Sequence, residues 1–477
     1  MSQFHSTLSR REFMKALGIG AGALAGAAAV APAFQDLDEL TASAKKSSDH
    51  PWWVKARDFG SLTTEVDWTV LKGHLADGSY NDSRSDSSAS TDYSSRVNEW
   101  LADGRAKKIP GRSNRDQAAK SAIGTPSITW TWPMAANSNA AQKWEGTPED
   151  NFQTLRSFAH YCGSPNCGAL VIDDKMERFV TKALEWGTTS SAYEVVGSGN
   201  SATIKFSGNM KYVFTATILQ NYTHKSYENT KDDSTGRAGF SMPLGDVSRQ
   251  RAYADIAMFE FWMQRFITTL GYNCYLQGGS PNGSGPGGRV NIPYGLFSGL
   301  GEQGRTGHVM SPTNGIIVRK TSFFITDMPL APTPPIDFGG TKFCESCMRC
   351  AEMCPSTACD DRKKRDTFDA PFPGGRPGYN GWRVHWWKCT GIGAPNTCGT
   401  CHGLCPFNHE NDALIHPFVR ASAAITPLFN GFYATMDRFM NYGAAKTEKE
   451  LNDWWYRDFK SYKADAIFGQ GSFQSML

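Results

Sequence analysis

Between Cys344 and Cys405 the chain carries nine of its twelve cysteines, eight of them arranged in two sets. The first is Cys344-x2-Cys347-x2-Cys350-x3-Cys354, closed by Pro355. The second is Cys398-x2-Cys401-x3-Cys405, closed by Pro406, with Cys389 nine residues upstream of Cys398. Two-residue gaps let three sulfurs wrap one polynuclear centre from a short loop. The proline then turns the chain away after the fourth.

The 2-2-3 spacing matches the thiolate run around 4Fe–4S clusters, in which the fourth cysteine ligates the other cluster when two are present. That exchange assigns Cys344, Cys347, Cys350 and Cys405 to one cluster, and Cys389, Cys398, Cys401 and Cys354 to the other. Zinc sites draw their four ligands from two separated pairs, which a 2-2-3 run fits poorly. Disulfides are rare at such tight spacing in a chain this long. The stretch carries electrons, and their destination must be sought elsewhere in the sequence.

A chain of 477 residues buries a large core and has room for a catalytic body plus smaller units. Its formal charge of +3 gives no sign of a nucleic-acid partner. With 14 Trp, 16 Tyr and 28 Phe it has aromatic side chains to spare for an apolar cavity as well as a core. Residues 1–33 read as a twin-arginine export signal. Ser9-Arg10-Arg11-Glu12-Phe13-Met14-Lys15 precedes an Ala/Gly-rich run from Ala16 to Ala31, and small residues at Ala29, Ala31 and Ala33 offer cleavage sites. That run is too short and too weakly apolar for a spanning helix, and no later stretch is long enough.

The remaining chain divides into a wrapping unit at 34–147, a core at 148–330, a cluster unit at 331–420 and a helical tail at 421–477. Residues 78–95 and 221–248 are polar and read as loops. A helix is predicted from Pro148 to Tyr161, with a buried strand following through Ile172. Further strands are predicted at 203–206 and 211–219. Cys162 and Cys167 form either a disulfide or a pair of packed thiols, and Cys274 belongs to the core. From Tyr253 to Leu270 apolar residues follow helical spacing, with Gly271 as the stop. Gly315–Asp327 is strand-like. The alternation of helices and strands implies an α/β core. Ala331-Pro-Thr-Pro-Pro335 is a stiff linker, and a last helix near Glu448–Phe459 should dock Trp454 and Trp455 back on the body. The glycines at 197–199 and 278–288 complete neither a dinucleotide nor a phosphate-loop motif.

Several of these features occur together in one family. The twin-arginine signal, Pro51-Trp52-Trp53-Val54-Lys55, Leu270-Gly271-Tyr272-Asn273, Gly299-Leu300-Gly301-Glu302-Gln303-Gly304-Arg305 and Thr326-Asp327-Met328-Pro329-Leu330 precede the two cysteine sets. In this the chain resembles the corrinoid-dependent respiratory reductive dehalogenases over nearly its whole length, most closely from Tyr253 to Pro406. The resemblance implies an α/β (α+β) fold: a nitroreductase-like corrinoid-binding core with a C-terminal ferredoxin-like two-cluster unit. It implies a base-off, cobalamin-type corrinoid, and the chain has no Asp-x-His-x-x-Gly to offer cobalt a histidine. Family members use a Tyr as proton donor beside a cation. Alignment places that Tyr at Tyr253 and the cation at Lys320, with Arg319 one residue away. Strand alternation admits only one of the two cations to the site, and Lys320 is preferred. Gly301, Gly304 and Arg305 are candidate corrinoid contacts. A family Asn falls on Gly279, with Asn282 three residues later.

The implied activity is removal of halide from a small organohalide, whether a chlorinated alkene, alkane or arene, as the terminal step of organohalide respiration. The implied partners are a small integral-membrane anchor protein and a respiratory electron donor, at the outer face of the cytoplasmic membrane. Two other readings compete. An epoxyqueuosine-reductase-like enzyme would share the cofactors, but the export signal speaks against it. An exported ferredoxin-type carrier would leave the body of the chain without a task.

Overall fold

The computed structural model describes residues 50–71, 87–122, 136, 143–180, 183–197, 202–230, 239–276, 291–365, 368, 377–385, 388–389, 398–409 and 415–457; at 87–94, 119–122, 223 and 320–322 the description covers the backbone alone. The signal at 1–33 and the glycine-rich stretch with Gly279 and Asn282 lie outside the described residues.

The first long helix, α1, spans Ser87–Ala106. The loop expected at 78–95 is therefore corrected from Ser87 onward. Its polar composition hid the anchor that follows: Val97 is fully buried, and Arg112 donates to the Trp100 carbonyl while lying over the Trp100 ring. Helix α2, Pro148–Tyr161, starts where Thr147 accepts the Asp150 N–H at 3.2 Å and Pro148 opens the first turn. It buries Phe152, Leu155 and Ala159.

Strand β1, Cys167–Val171, pairs with β2, Tyr212–Leu219, which is buried from Val213 onward. Helix α3 runs from Pro243 to Thr269. It begins ten residues before the expected start at Tyr253, so the loop reading of 221–248 is corrected there too. Pro243 at the first turn and the Asp246–Arg249 ion pair hold a start that apolar spacing does not reveal. Helix α3 ends where Gly271 turns at φ +91°. Strand β3, Cys274–Leu276, follows, and then β4, Val318–Thr326.

These strands form a sheet in the order β1-β2-β4-β3, antiparallel throughout. The core is thus α+β rather than a βαβ layer, because each strand meets its neighbour head to tail. Alternation divides the side chains between two faces. Phe214 and Phe324 pack with Phe259 and Met263 of α3, while Val213 and Phe323 pack with Phe206 and Tyr294 on the other side. A second sheet joins Leu184–Trp186, Thr203–Phe206 and Tyr193–Val196. Cys162, Cys167 and Cys274 are free thiols, so the first two are not disulfide-bonded.

Beyond the sheet, a hairpin pairs Glu302–Gln303 with Val309–Met310. It reaches α4, Gly340–Cys347, the helix that carries Cys344 and Cys347. The buried Glu302 carboxylate accepts from the N–H groups of Phe338 (2.6 Å), Gly340 (3.1 Å) and Thr341 (3.1 Å), and from the Thr341 hydroxyl (2.6 Å). Burial pushes its pKa up, yet all four partners are donors, so the ionised form is the one that satisfies them. Helix α5, Asn430–Phe439, packs on α4, and its Arg438 donates to the Cys347 carbonyl at 2.6 Å. The outward face of this segment exposes Phe432 (58%) and Phe439 (79%). The tail helix Glu448–Asp453 leads to Trp454, stacked on His224, and Trp455, whose ring N–H reaches Asp116 at 2.6 Å. Among the described residues no helix is long and apolar enough to cross a membrane.

Candidate functional site

Cys344, Cys347, Cys350 and Cys405 line one pocket, with Gly304 also on its wall. Three of these thiols lie on or just after α4; the fourth comes from the segment following Thr400–Leu404. Cys354, Cys389 and Cys401 pack in a second group, and Cys398 lies within electrostatic reach of Cys389. The structure therefore gathers the eight thiols four and four, each group drawing one member from the other sequence set. Among the described residues no three His, Cys, Asp or Glu side chains converge as ligands of a single ion. Four sulfurs spread around a cavity suit a cubane, which needs one thiolate at each of its irons.

A ninth thiol joins the second group. Cys359, 8% exposed, packs with Cys354, Cys389 and Cys401. The spacing rule passes over it because it follows the closing proline.

On the sheet side, Tyr253 of α3 meets Arg319 of β4: the guanidinium donates to the phenol oxygen and lies 4.5 Å from the ring centre. The register explains why this residue reaches it. Val318 faces Leu219 and Lys320 faces Ile218, so Arg319 is the extra residue of a β-bulge and escapes strict alternation. Arg319, the neighbour of the Lys320 preferred from sequence, is the cation seen on the Tyr253 phenol; the Lys320 side chain lies outside the described residues. A second guanidinium, Arg249, sits one helical turn before Tyr253, 5.8 Å from its ring centre. Asp246 holds it through bonds of 2.6 and 2.9 Å.

Next to this pair is a chain of polar groups that sequence reasoning missed. His308 packs edge-on against His402 at 4.8 Å between ring centres, and Gln220 bonds His402 Nδ1 at 2.9 Å. Burial, reinforced by Arg319, lowers His308 to about 4, and burial lowers His402 well below its ordinary range, so both imidazoles are neutral. His402 had a faint signal, since it stands inside the Cys401-x3-Cys405 gap; Gln220 and His308 had none. Among the described residues Gln220 Oε1, His308 Nδ1 and Arg319 Nε are buried without a hydrogen-bond partner. Three orphaned polar atoms grouped around His402 are what a polar-rimmed ligand would satisfy. Nearby, the buried Lys225–Glu228 ion pair leaves no room for a side chain at Gly399, beside Cys398.

Arg305, read from sequence as a candidate corrinoid contact, lies against the loop of Cys344. Its guanidinium is fully buried over Trp382 and donates to the carbonyls of Cys344, Asp360 and Arg362 at 2.6–3.2 Å. It clamps the cluster loop to the hairpin. Gly301 is also explained locally, since a Cβ there would collide with the Met310 carbonyl across the hairpin.

No family model matches the chain. Among curated proteins it is 30% identical over 535 aligned positions to the chloroethene reductive dehalogenase of Dehalococcoides mccartyi strain VS, covering 98% of this chain and 99% of that one. It is 28% identical to the trichloroethene reductive dehalogenase of another Dehalococcoides mccartyi strain, covering 95% and 97%. Among solved structures it resembles a catabolic reductive dehalogenase bound to 3-bromo-4-hydroxybenzoic acid, with a TM-score of 0.56 and 20% identity. That match covers 81% of this chain and 49% of the other, so the chain spans about half the length of that relative. It is a likeness of fold.

Proposed function

The chain belongs to the reductive dehalogenases, and from that membership we propose that it removes halide from a small chlorinated alkene at a base-off corrinoid served by two 4Fe–4S clusters. It is an oxidoreductase. The observation that carries the finer reading is the Tyr253–Arg319 pair, flanked by orphaned polar atoms and lying beside one of two four-thiol groups. The names of its curated relatives favour chlorinated ethenes over alkanes and arenes as the substrate class.

In this reading the substrate takes up two electrons and one proton and leaves as R–H and halide. When bound, the corrinoid supplies low-potential reduction of the carbon–halogen bond, and the clusters supply electrons singly. Gln220, His308 and Arg319 are the residues proposed to face the corrinoid. The sheet with α2 and α3 is the proposed nitroreductase-like core, and the segment holding the thiols the ferredoxin-like unit. Tyr253 donates the proton from its phenol oxygen. Arg319, bonded to that oxygen, stabilises the phenolate left behind, and Arg249 adds a second positive charge across the ring. His308 and His402, kept neutral by burial, add no competing cation.

The path of electrons has a direction in this proposal. Cys389 lies within electrostatic reach of Arg319, so its group faces the Tyr253 side. The Cys344 group lies under α5, whose outer face is apolar and exposed. Electrons enter at the Cys344 group and leave from the Cys389 group. A respiratory donor and a small membrane-anchor protein are the proposed partners, reached after export by the twin-arginine route to the outer face of the cytoplasmic membrane.

The test is anaerobic reconstitution with iron, sulfide and cobalamin, followed by halide release with a low-potential donor from chlorinated ethenes, alkanes and arenes in parallel. Release from ethenes is expected. Protein that holds eight irons and a corrinoid yet releases halide from none of the three would overturn the proposal, and release confined to arenes would overturn the substrate class.

A further inference from the structure

We propose that the outer face of α5, with the turn before it, is a bilayer-docking surface whose apolar side chains enter the interface of a lipid membrane. The inference rests on the reading above that places the protein at a membrane face, and it names what touches the lipid. Leu428, Phe429, Phe432, Met436, Phe439 and Met440 are all exposed, Leu428 by 65% and Phe439 by 79%. Spacing puts them on one side. Phe429, Phe432, Met436 and Phe439 recur at intervals of three and four, while Asn430, Ala434 and Asp437 are buried against the protein.

The fold holds this side in a fixed position. Thr426 caps the turn Pro427–Phe429 by accepting the Leu428 N–H at 3.3 Å. Tyr433 donates to the Ser422 hydroxyl at 3.0 Å, which ties α5 to the preceding helix, Ile415–Ile425. Helix α5 in turn packs on α4, and Arg438 holds both the Cys347 carbonyl and the Glu352 carboxylate. A side chain built at Gly431 would meet nothing within 4 Å, so the outer side of the helix stands clear of the other described residues.

The chemistry of the face selects its occupant. From Pro427 to Asn441 every exposed side chain is uncharged. The two charged residues of the stretch are engaged elsewhere: Asp437 is buried against His409, and Arg438 is paired with Glu352. Thr435 turns its hydroxyl hydrogen back to the Gly431 carbonyl at 2.9 Å. The face therefore offers a partner neither charge nor, short of Asn441 at its edge, a side-chain donor. Protein–protein interfaces carry hydrogen bonds and a polar rim, so a second copy or another globular protein finds little here to specify it. The acyl region of a bilayer asks for neither. An amphipathic helix lying in the membrane plane buries its apolar side about 5–10 Å into the headgroup boundary. Because α4 lies directly behind α5, docking in this way turns Cys344 and Cys347 toward the membrane.

The experiment is flotation with phosphatidylcholine vesicles, at low and high salt, of the protein purified after export and free of residues 1–33. The proteins are wild type, a serine variant (Phe432→Ser with Phe439→Ser) and a leucine variant (Phe432→Leu with Phe439→Leu). Both variants should keep wild-type iron content and wild-type halide release with a soluble dye as donor, because both side chains face outward. Wild type should float at either salt, and the leucine variant should follow it. The serine variant should partition about 10-fold less or lower still, since two aromatic side chains are lost from the apolar region. Wild type that stays out of the vesicles, or a serine variant that floats like wild type, would overturn the inference. Binding that needs anionic phosphatidylglycerol and vanishes in salt would also overturn it, assigning attachment to charge elsewhere on the surface. Protein that is dimeric, stays out of vesicles and becomes monomeric in the serine variant would overturn it in favour of a second copy. Cell fractionation tests the membrane-face placement separately: wild type that floats with vesicles yet is found away from membranes in cells would bring down that placement and leave the docking surface standing.

Discussion

A phenol that gives up its proton leaves an anion, and at Tyr253 two guanidinium groups are in place to hold it. Arg319 touches the oxygen and Arg249 lies across the ring. Tyr253→Phe removes the proton and keeps the ring, so the clusters should load normally while turnover falls by roughly 100-fold or more. Arg319→Gln keeps the phenol but loses a charged hydrogen bond, for an expected loss of about 10- to 100-fold. Halide release at saturating substrate, normalised to iron content, measures both. A Tyr253→Phe enzyme with wild-type turnover would remove the donor assignment. That Arg319 reaches the phenol follows from a single bulged residue, a displacement that no alternation pattern contains.

Among the elements, α4 depends most on a residue far from it in sequence. Glu302 accepts four hydrogen bonds at the start of the helix that carries Cys344 and Cys347. Glu302→Gln keeps the size but turns an amide N–H2 toward backbone donors. It should cost about 3 kcal/mol of stability, since it both breaks charged hydrogen bonds and leaves buried donors unpaired. Urea unfolding measures the cost, and a loss below about 0.5 kcal/mol would show that the carboxylate is not what orders this helix. Elements with local signals were legible in the sequence. Helix α2 has Thr147, Pro148 and a stripe of Phe152, Leu155 and Ala159, and Gly271 stops α3. The first turns of α3 were not legible, because an ion pair and distant packing hold them. The same distinction applies to the site. Cysteine spacing assigned eight thiols, but Glu302, Gln220, His308 and Cys359 owe their places to chain segments that spacing does not relate.

Across the whole molecule, the tail is fastened to the body by an aromatic contact that titrates. His224 is fully enclosed and stacks on Trp454 at 4.9 Å between ring centres. Burial, with Arg457 and Lys225 facing the ring, lowers it to about 4. Its folded-state value thus lies below the ordinary 6.5, so unfolding takes up a proton in acid. The stability it contributes is complete above about pH 6.5 and is lost as pH falls toward 4, amounting to about 3 kcal/mol for this one group. Chemical denaturation at pH 7 and pH 5 should show a fall that is smaller in His224→Phe, which keeps the stacking and cannot titrate. Equal falls in the two proteins would place the acid sensitivity elsewhere.

The crossed thiol groups have a consequence for how the protein is made. Cys405 completes the group of Cys344, and Cys354 sits with Cys389 and Cys401, so each loop holds a piece the other lacks. Neither nest exists until both segments have come together. Arg305 draws the first loop down onto the hairpin of the body, through the carbonyls of Cys344, Asp360 and Arg362. Either four-thiol group is therefore assembled by a nearly finished fold rather than by one loop alone.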